Sequence, residues 1–271
     1  MPRVLVTGAG GPAGTALLAV LAERGVPAVG ADMLPLPPRA GVPIERILPA
    51  GAPLFESEVL RLAARHRVDL VVPTVTEELP RMAALAAARA APPRIAVGTP
   101  EAVAVADDKW RTVQVLARAG IAVPRSVVAG TADPVRVLGL PYLSKPRHGR
   151  GGRGVSLHHE PGGPRTTDHV LQEYVPGDEY AVQLYGAVSV VLRKTALAQG
   201  HVGNGVAVVR EEHPDVAAVA RAAVGTLGLT GPVDVDVRRR ADGTPVVLEV
   251  NARFGAHLRS APELVDQLLS P

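Results

Sequence analysis

The run from Val233 to Asn251, Val-Asp-Val-Asp-Val-Arg-Arg-Arg-Ala-Asp-Gly-Thr-Pro-Val-Val-Leu-Glu-Val-Asn, constrains this chain more than any other stretch. Apolar and polar residues alternate on both sides of Asp242-Gly243, a dipeptide that accepts positive φ and favours a two-residue hairpin turn. With those two residues as the loop, Ala241 faces Thr244, Asp236 lies opposite Glu249, and Asp234 lies opposite Asn251. Val235 with Val250 and Val237 with Leu248 then form the apolar face. Two carboxylates opposed across a strand pair repel and loosen the sheet unless a cation lies between them. Oxygen ligands of this kind suit Mg²⁺, which completes its octahedron with water and phosphate. A solvated acidic face beside Arg238 is the alternative reading, and a longer turn would shift the register.

A second stretch has the opposite charge. Lys145-Pro146-Arg147-His148-Gly149-Arg150-Gly151-Gly152-Arg153-Gly154 follows the apolar run Pro141 to Ser144 and leads into Val155-Ser156-Leu157. Glycines let backbone N–H groups approach an anion, and the clustered cations favour the same guest, so the segment reads as a phosphate-covering flap. A basic surface loop or a nucleic-acid patch would share these residues. The formal charge of +3 and an aromatic content of 3% argue against nucleic acid, because neither a strong field nor stacking platforms are present.

The first hundred residues alternate strands and helices. Val4–Thr7 is a strand, Gly8 to Gly14 a turn, Thr15–Arg24 a helix, and Pro27–Ala31 a strand ending at Asp32. A helix over 56–67, a strand over 68–72, a helix over 77–90 and a strand over 94–98 continue the pattern, which predicts a Rossmann-like parallel sheet with helices on both faces. Leu34 to Pro53 reads as a proline-rich loop. Gly8-x-Gly10-x-x-Ala13 with Asp32 fits a dinucleotide fingerprint, as for an NAD(P)-dependent reductase, but glycine-rich βα turns also occur in open sheets that bind no dinucleotide.

Two helices follow, Glu101–Ala106 and Asp107–Ala119, with Lys109 in the first turn of the second, where the helix dipole does not favour a cation and an anionic partner would. After Pro124 short strands separated by glycine and proline turns indicate an antiparallel α+β unit, interrupted by a helix over 215–227. The chain has no cysteine, so covalent or metal chemistry must use oxygen or imidazole groups. Neither a leader-like start nor an apolar run of membrane-spanning length is evident, and the expectation is a cytoplasmic protein without membrane contact.

Four blocks in order give this half of the chain a resemblance: Asp108-Lys109 with the helix running to Gly120-Ile121-Ala122-Val123-Pro124; Lys145-Pro146 with the glycine loop; Gln172-Glu173-Tyr174-Val175-Pro176-Gly177-Asp178-Glu179; and Leu248-Glu249-Val250-Asn251-Ala252-Arg253. Together they resemble the ATP-grasp enzymes, most closely the carbamoyl-phosphate-synthase-like carboxylate–amine ligases. The resemblance implies a preceding α/β domain over 1–100, a small lid subdomain over 101–171 and a large subdomain over 172–271. It implies that Lys109 and Lys145 hold ATP phosphates under the flap residues Gly149, Arg150, Gly151, Gly152 and Gly154. Glu173, Tyr174 and Val175 would meet adenine and Glu179 the ribose. Asp236, Glu249 and Asn251 would hold two Mg²⁺ ions, a role Mn²⁺ also fills, while Arg253, Arg193 and Lys145 would act on the transferred phosphate or the substrate carboxylate. The implied reaction joins a small carboxylate, such as an amino acid, to an amine through an acyl phosphate. A homo-oligomer and a non-catalytic ATP-binding module are compatible with the same motifs. The segment between Gly154 and Val170 is shorter than the family's usual lid, and Ala252 stands where proline is common.

Overall fold

A computed structural model describes residues 1–198, 200 and 205–270. The first unit contains β1 (Val4–Thr7), α1 (Pro12–Glu23), β2 (Ala28–Asp32), β3 (Ile44–Arg46), α2 (Phe55–Arg65), β4 (Leu70–Pro73), α3 (Leu79–Ala87) and β5 (Arg94–Ile95). Its strands pair in parallel in the order β3-β2-β1-β4-β5. β1 and β4 are buried throughout, as continuous apolar strands covered on both faces must be. The proline-rich run is not wholly irregular, since it contributes the three-residue edge strand β3. The last strand is shorter than the apolar run 94–98 suggests, because only Arg94 and Ile95 pair with β4. α1 begins at Pro12, where proline's missing N–H costs no helix hydrogen bond.

Helices α4 (Pro100–Asp107) and α5 (Lys109–Arg118) lead to β6 (Ser126–Val128), α6 (Pro134–Leu138), β7 (Tyr142–Pro146), β8 (Ser156–His158) and β9 (His169–Glu173). These four strands form a sheet in the order β6-β9-β7-β8. The large sheet follows, built from β10 (Glu179–Tyr185), β11 (Val188–Leu197), β12 (Gly205–Arg210), β13 (Val233–Arg239) and β14 (Pro245–Asn251), with α7 (Pro214–Leu227) between β12 and β13. Its order is β12-β11-β10-β13-β14, and every pairing is antiparallel.

One face of the large sheet, carrying Tyr180, Val182, Leu184, Val235 and Val250, packs against α4 and α7. On the other face Ala181, Val190 and Leu192 join Leu17, Leu18 and Leu21 of α1 in one buried cluster. The helix α8 (Glu263–Leu269), which the sequence pattern did not signal, inserts Leu264, Val265 and Leu268 into that cluster. The parallel and antiparallel units therefore share a core.

At the carboxyl end of the central strand β1, Glu78 is buried and accepts the Thr7 hydroxyl at 2.5 Å. Burial pushes its carboxyl up to about 7 from an ordinary 4.5, and the charges of Asp32 and Glu77 act in the same direction. The folded state therefore holds the proton more tightly than the unfolded chain. This contribution is complete below about pH 4.5 and is lost as pH rises through 7, costing about 3 kcal/mol by pH 8. Glu78→Gln is expected to raise the melting temperature at pH 8 and to leave it nearly unchanged at pH 5. Equal shifts at both values would show that the buried charge is not the cause.

Candidate active site

The large sheet, the flap after β7 and the loops at the carboxyl ends of β1 and β4 enclose one cleft. Its floor comes from the alternating residues Glu179 and Ala181 of β10, Lys194 of β11, and Asp234, Asp236 and Arg238 of β13. The roof comes from Leu143 and Lys145 of β7 with Arg150, Gly151, Gly152 and Val155. Gly11, Pro12, Ala13, Thr74 and Val75 close the far end with Arg253 and His257, so the N-terminus of α1 opens on the cleft.

The hairpin brings together the expected carboxylates by a less regular route. Asp234 pairs with Asn251, Val235 with Val250, and Asp236 with Glu249, but Val237 pairs with Val247 rather than Leu248. The turn is one residue longer than Asp242-Gly243 alone, because Arg240 N–H bonds Thr244 O, and a bulge at Leu248 restores the register. The bulge turns Leu248 away from the apolar layer and into the cleft wall.

Three acids of the cleft, Glu179, Asp236 and Glu249, have a protein cation beside them. Lys194 Nζ lies 2.6 Å from Glu179 Oε1 and 2.5 Å from Asp236 Oδ1. Arg238 reaches the other oxygen of Glu179 at 2.6 Å, and Lys109 Nζ stands 3.2 Å from Glu249 Oε1. Burial lowers the pKa of Lys194, but the charges of Asp236 and Glu179 outweigh it and hold the ammonium protonated. Lys145 is buried; desolvation depresses its pKa while Glu249 opposes that shift.

The flap is tied to α5. Asp108 caps the helix by accepting Trp110 N and Arg111 N, and it also receives the Arg147 guanidinium. Lys109 N bonds Arg147 O, and Lys109 Nζ donates to Gly149 O at 2.9 Å. Arg150 pairs with Glu77 of the parallel unit at 2.6 Å, so the flap arginines meet protein carboxylates. Gly154 has φ +70°, and a Cβ there would come within 2.8 Å of Pro146 Cγ, which reserves the position for glycine.

Three groups of expected site residues are engaged by other protein groups. Arg193 pairs with Glu211 at 2.8 Å and occupies the strand position opposite Tyr180, whose side chain faces α7; the adjacent Lys194 is the β11 cation in the cleft. Glu173 is engaged by Arg125 and Arg240. Tyr174 stacks under Arg238, which also donates to Val175 O at 2.9 Å. Asp32 accepts Gly10 N at 2.8 Å and Leu34 N at 3.0 Å, so each of its oxygens already holds one backbone N–H, one of them from the glycine turn itself.

The parallel sheet, the two antiparallel sheets and the lysine-and-carboxylate cleft between them define an α/β-plus-α+β nucleotide-handling architecture. Residues 106–257 match the ATP-grasp domain family, and the chain belongs to that family. Solved structures of similar fold include the L-amino acid ligase from Bacillus licheniformis (TM-score 0.68, 19% identity, 96% of this chain and 69% of that one). The N5-carboxyaminoimidazole ribonucleotide synthetase from Thermotoga maritima gives a TM-score of 0.65 at 19% identity, over 98% and 72% of the two chains. The D-alanine–D-alanine ligase from Bacillus anthracis gives 0.66 at 15% identity, over 99% and 92%. No curated protein sequence matches the chain. Among the described residues no helix is long and apolar enough to cross a membrane.

Proposed function

We propose that this chain is an ADP-forming ligase that activates a small carboxylate, of the size of an amino acid, with ATP and transfers the acyl group to an amine. The observation that carries the reading is the cleft itself: buried Lys145 and the glycine flap form a roof over the Asp236/Glu249/Asn251 floor. Leu143, Val155, Ala181 and Leu248 give one end apolar walls for a base, and Glu179 stands beside it for the ribose.

Among the described residues five cations line the cleft (Lys145, Arg150, Lys194, Arg238, Arg253) and face four carboxylates (Glu179, Asp234, Asp236, Glu249). Protein charge alone does not neutralise a triphosphate. The donor set fits Mg²⁺: two carboxylates and an amide oxygen come from one strand pair, leaving coordination positions for water and phosphate. Among the described residues no group of three or more His, Cys, Asp or Glu could hold a metal ion by itself. Bound there, Mg²⁺ supplies charge neutralisation of the phosphates.

The chain's own residues do the positioning. Lys145 and Lys109 hold phosphate oxygens, and the flap excludes water from the acyl phosphate. Arg253 fixes the group that accepts the phosphoryl. The substrate carboxylate oxygen forms the new bond to the γ-phosphorus as ADP leaves. The deprotonated amine then forms the C–N bond as phosphate departs, and the amide nitrogen releases its remaining extra proton. Positioning and charge account for catalysis without a protein nucleophile.

The test is ADP and phosphate release with the twenty L-amino acids supplied singly and in pairs, followed by mass analysis of the products. ATP-dependent dipeptide or other amide formation supports the proposal. Tight ATP binding without turnover across a wider carboxylate and amine set would instead mark a nucleotide sensor.

A further inference from the structure

Asp234 has no part in the phosphate and magnesium contacts outlined above, yet it lines the end of the cleft where the loops of the parallel unit close it. Its Oδ1 is buried and makes no hydrogen bond. A free buried acceptor is costly, and a carboxylate oxygen more so than a neutral one. The backbone makes room for this group: a Cβ on Gly255 would stand 2.6 Å from its carboxyl carbon.

Across the strand pair, Gln183 lies directly opposite Asp234, and its side chain is fully buried with neither amide atom bonded. Two neighbouring polar side chains on one face thus carry unused hydrogen-bonding capacity at the same level of the sheet. The cations Lys194 and Lys109 are spent on Glu179, Asp236 and Glu249, and Arg253 donates to Phe254 O at 2.8 Å.

We propose that Asp234 is the ammonium-recognition residue for the amine substrate, with Gln183 as the positioning residue that orients its carboxylate. A cationic amine in the cleft brings N–H donors and a positive charge to the Asp234 carboxylate that lines it, whereas an anionic or neutral nucleophile brings no such match. The subsite therefore selects a primary amine that is protonated in solution and holds its nitrogen at the end of the cleft away from the base pocket; the bound ammonium releases one proton to solvent, and the neutral amine then attacks the acyl carbon. This inference rests on the ligase reading above.

Hydroxylamine, a small nucleophile largely uncharged at neutral pH, separates the two. It traps an acyl phosphate as a hydroxamate without needing an ammonium site. With an L-amino acid as carboxylate and either hydroxylamine or a second L-amino acid as nucleophile, Asp234→Asn is expected to raise the amine KM and to lower the ratio of amide to hydroxamate by roughly 10- to 100-fold, the scale of one charge-assisted hydrogen bond. Gln183→Leu is expected to move the same ratio in the same direction by a smaller factor. An unchanged ratio in Asp234→Asn overturns the assignment. A parallel fall in both products with a raised Mg²⁺ requirement also overturns it, because it makes Asp234 a metal ligand. A melting temperature for Asp234→Asn at or above that of the parent is expected and confirms that the variant folds. If the parent protein gives no hydroxamate with any carboxylate, the ligase reading itself has failed.

Discussion

Replacing Glu249 by Gln is expected to lower ATP-dependent product formation by roughly 10²- to 10³-fold, the scale on which a single preorganised electrostatic contact acts in a transition state. The substitution keeps the side chain's shape and removes its charge, so a metal held between Glu249, Asp236 and the phosphates loses one anionic ligand. The fold has little reason to respond. Glu249 keeps 22% of its side chain exposed, and Lys109, 3.2 Å away, keeps its bond to Gly149 O when the carboxylate charge is removed. Thermal melting within about 2 °C of the parent, together with the loss of turnover, is the expected pair of results. Turnover within about threefold of the parent at saturating Mg²⁺ would remove Glu249 from the metal site. The variant is also informative for nucleotide binding: freeing Lys109 from its carboxylate leaves one more cation for phosphate, so ATP affinity measured without Mg²⁺ is expected to hold or rise.

Much of this site can be read from the sequence because its acidic floor is local. Asp236, Glu249 and Asn251 lie on two strands joined by a short turn, and side-chain alternation fixes which of them share a face. Two irregularities, the longer turn and the bulge at Leu248, cancel before the register reaches Glu249. The assignment of Leu248 to the apolar layer fails because it sits between them. The β11 cation is harder to identify. Val188-Ser189-Val190-Val191-Leu192 is apolar nearly throughout, so no alternation shows which of Arg193 and Lys194 faces the cleft. A one-residue difference in parity decides between opposite sides of a sheet. The neighbours of Lys194 come from β10 and β13, and that pairing is set by topology at long sequence separation.

The parallel unit shows the opposite balance. Its elements follow from alternation of strand and helix, but the meaning of its glycine turn does not, because a loop that receives a ribose and one that satisfies itself require the same residues. In the structure the Asp32 carboxylate ties the glycine turn to the start of its own loop through Gly10 and Leu34. The same holds for α8, whose short apolar pattern acquires significance from the surface formed by α1, β10 and β11. These contacts make the amino-terminal unit a wall of the cleft rather than an independent binding domain.

Replacing Lys194 by Met is expected to have the largest effect on stability of any single change on the cleft floor. Its side chain is 5% exposed and spans Glu179 and Asp236. Methionine fills a similar volume, so the loss is electrostatic: Glu179 keeps Arg238, while Asp236 loses its partner and faces Asp234 and Glu249 across short distances. Removing one member of a buried charge pair costs about 3–5 kcal/mol, and a chain of this length converts that into a fall in melting temperature of roughly 6–15 °C. Divalent metal separates the structural from the functional part of this effect. If Asp236 belongs to a magnesium site, Mg²⁺ supplies the missing positive charge and restores much of the melting temperature in Lys194→Met, but not in the Lys194→Met/Glu249→Gln double variant, where a second ligand is weakened. Restoration of equal size in both variants, or in neither, would break the link between Asp236 and the metal. The parent protein is expected to gain less from Mg²⁺ alone, because Lys194 already occupies the space between the carboxylates, and to gain most when ATP draws that lysine onto its phosphates.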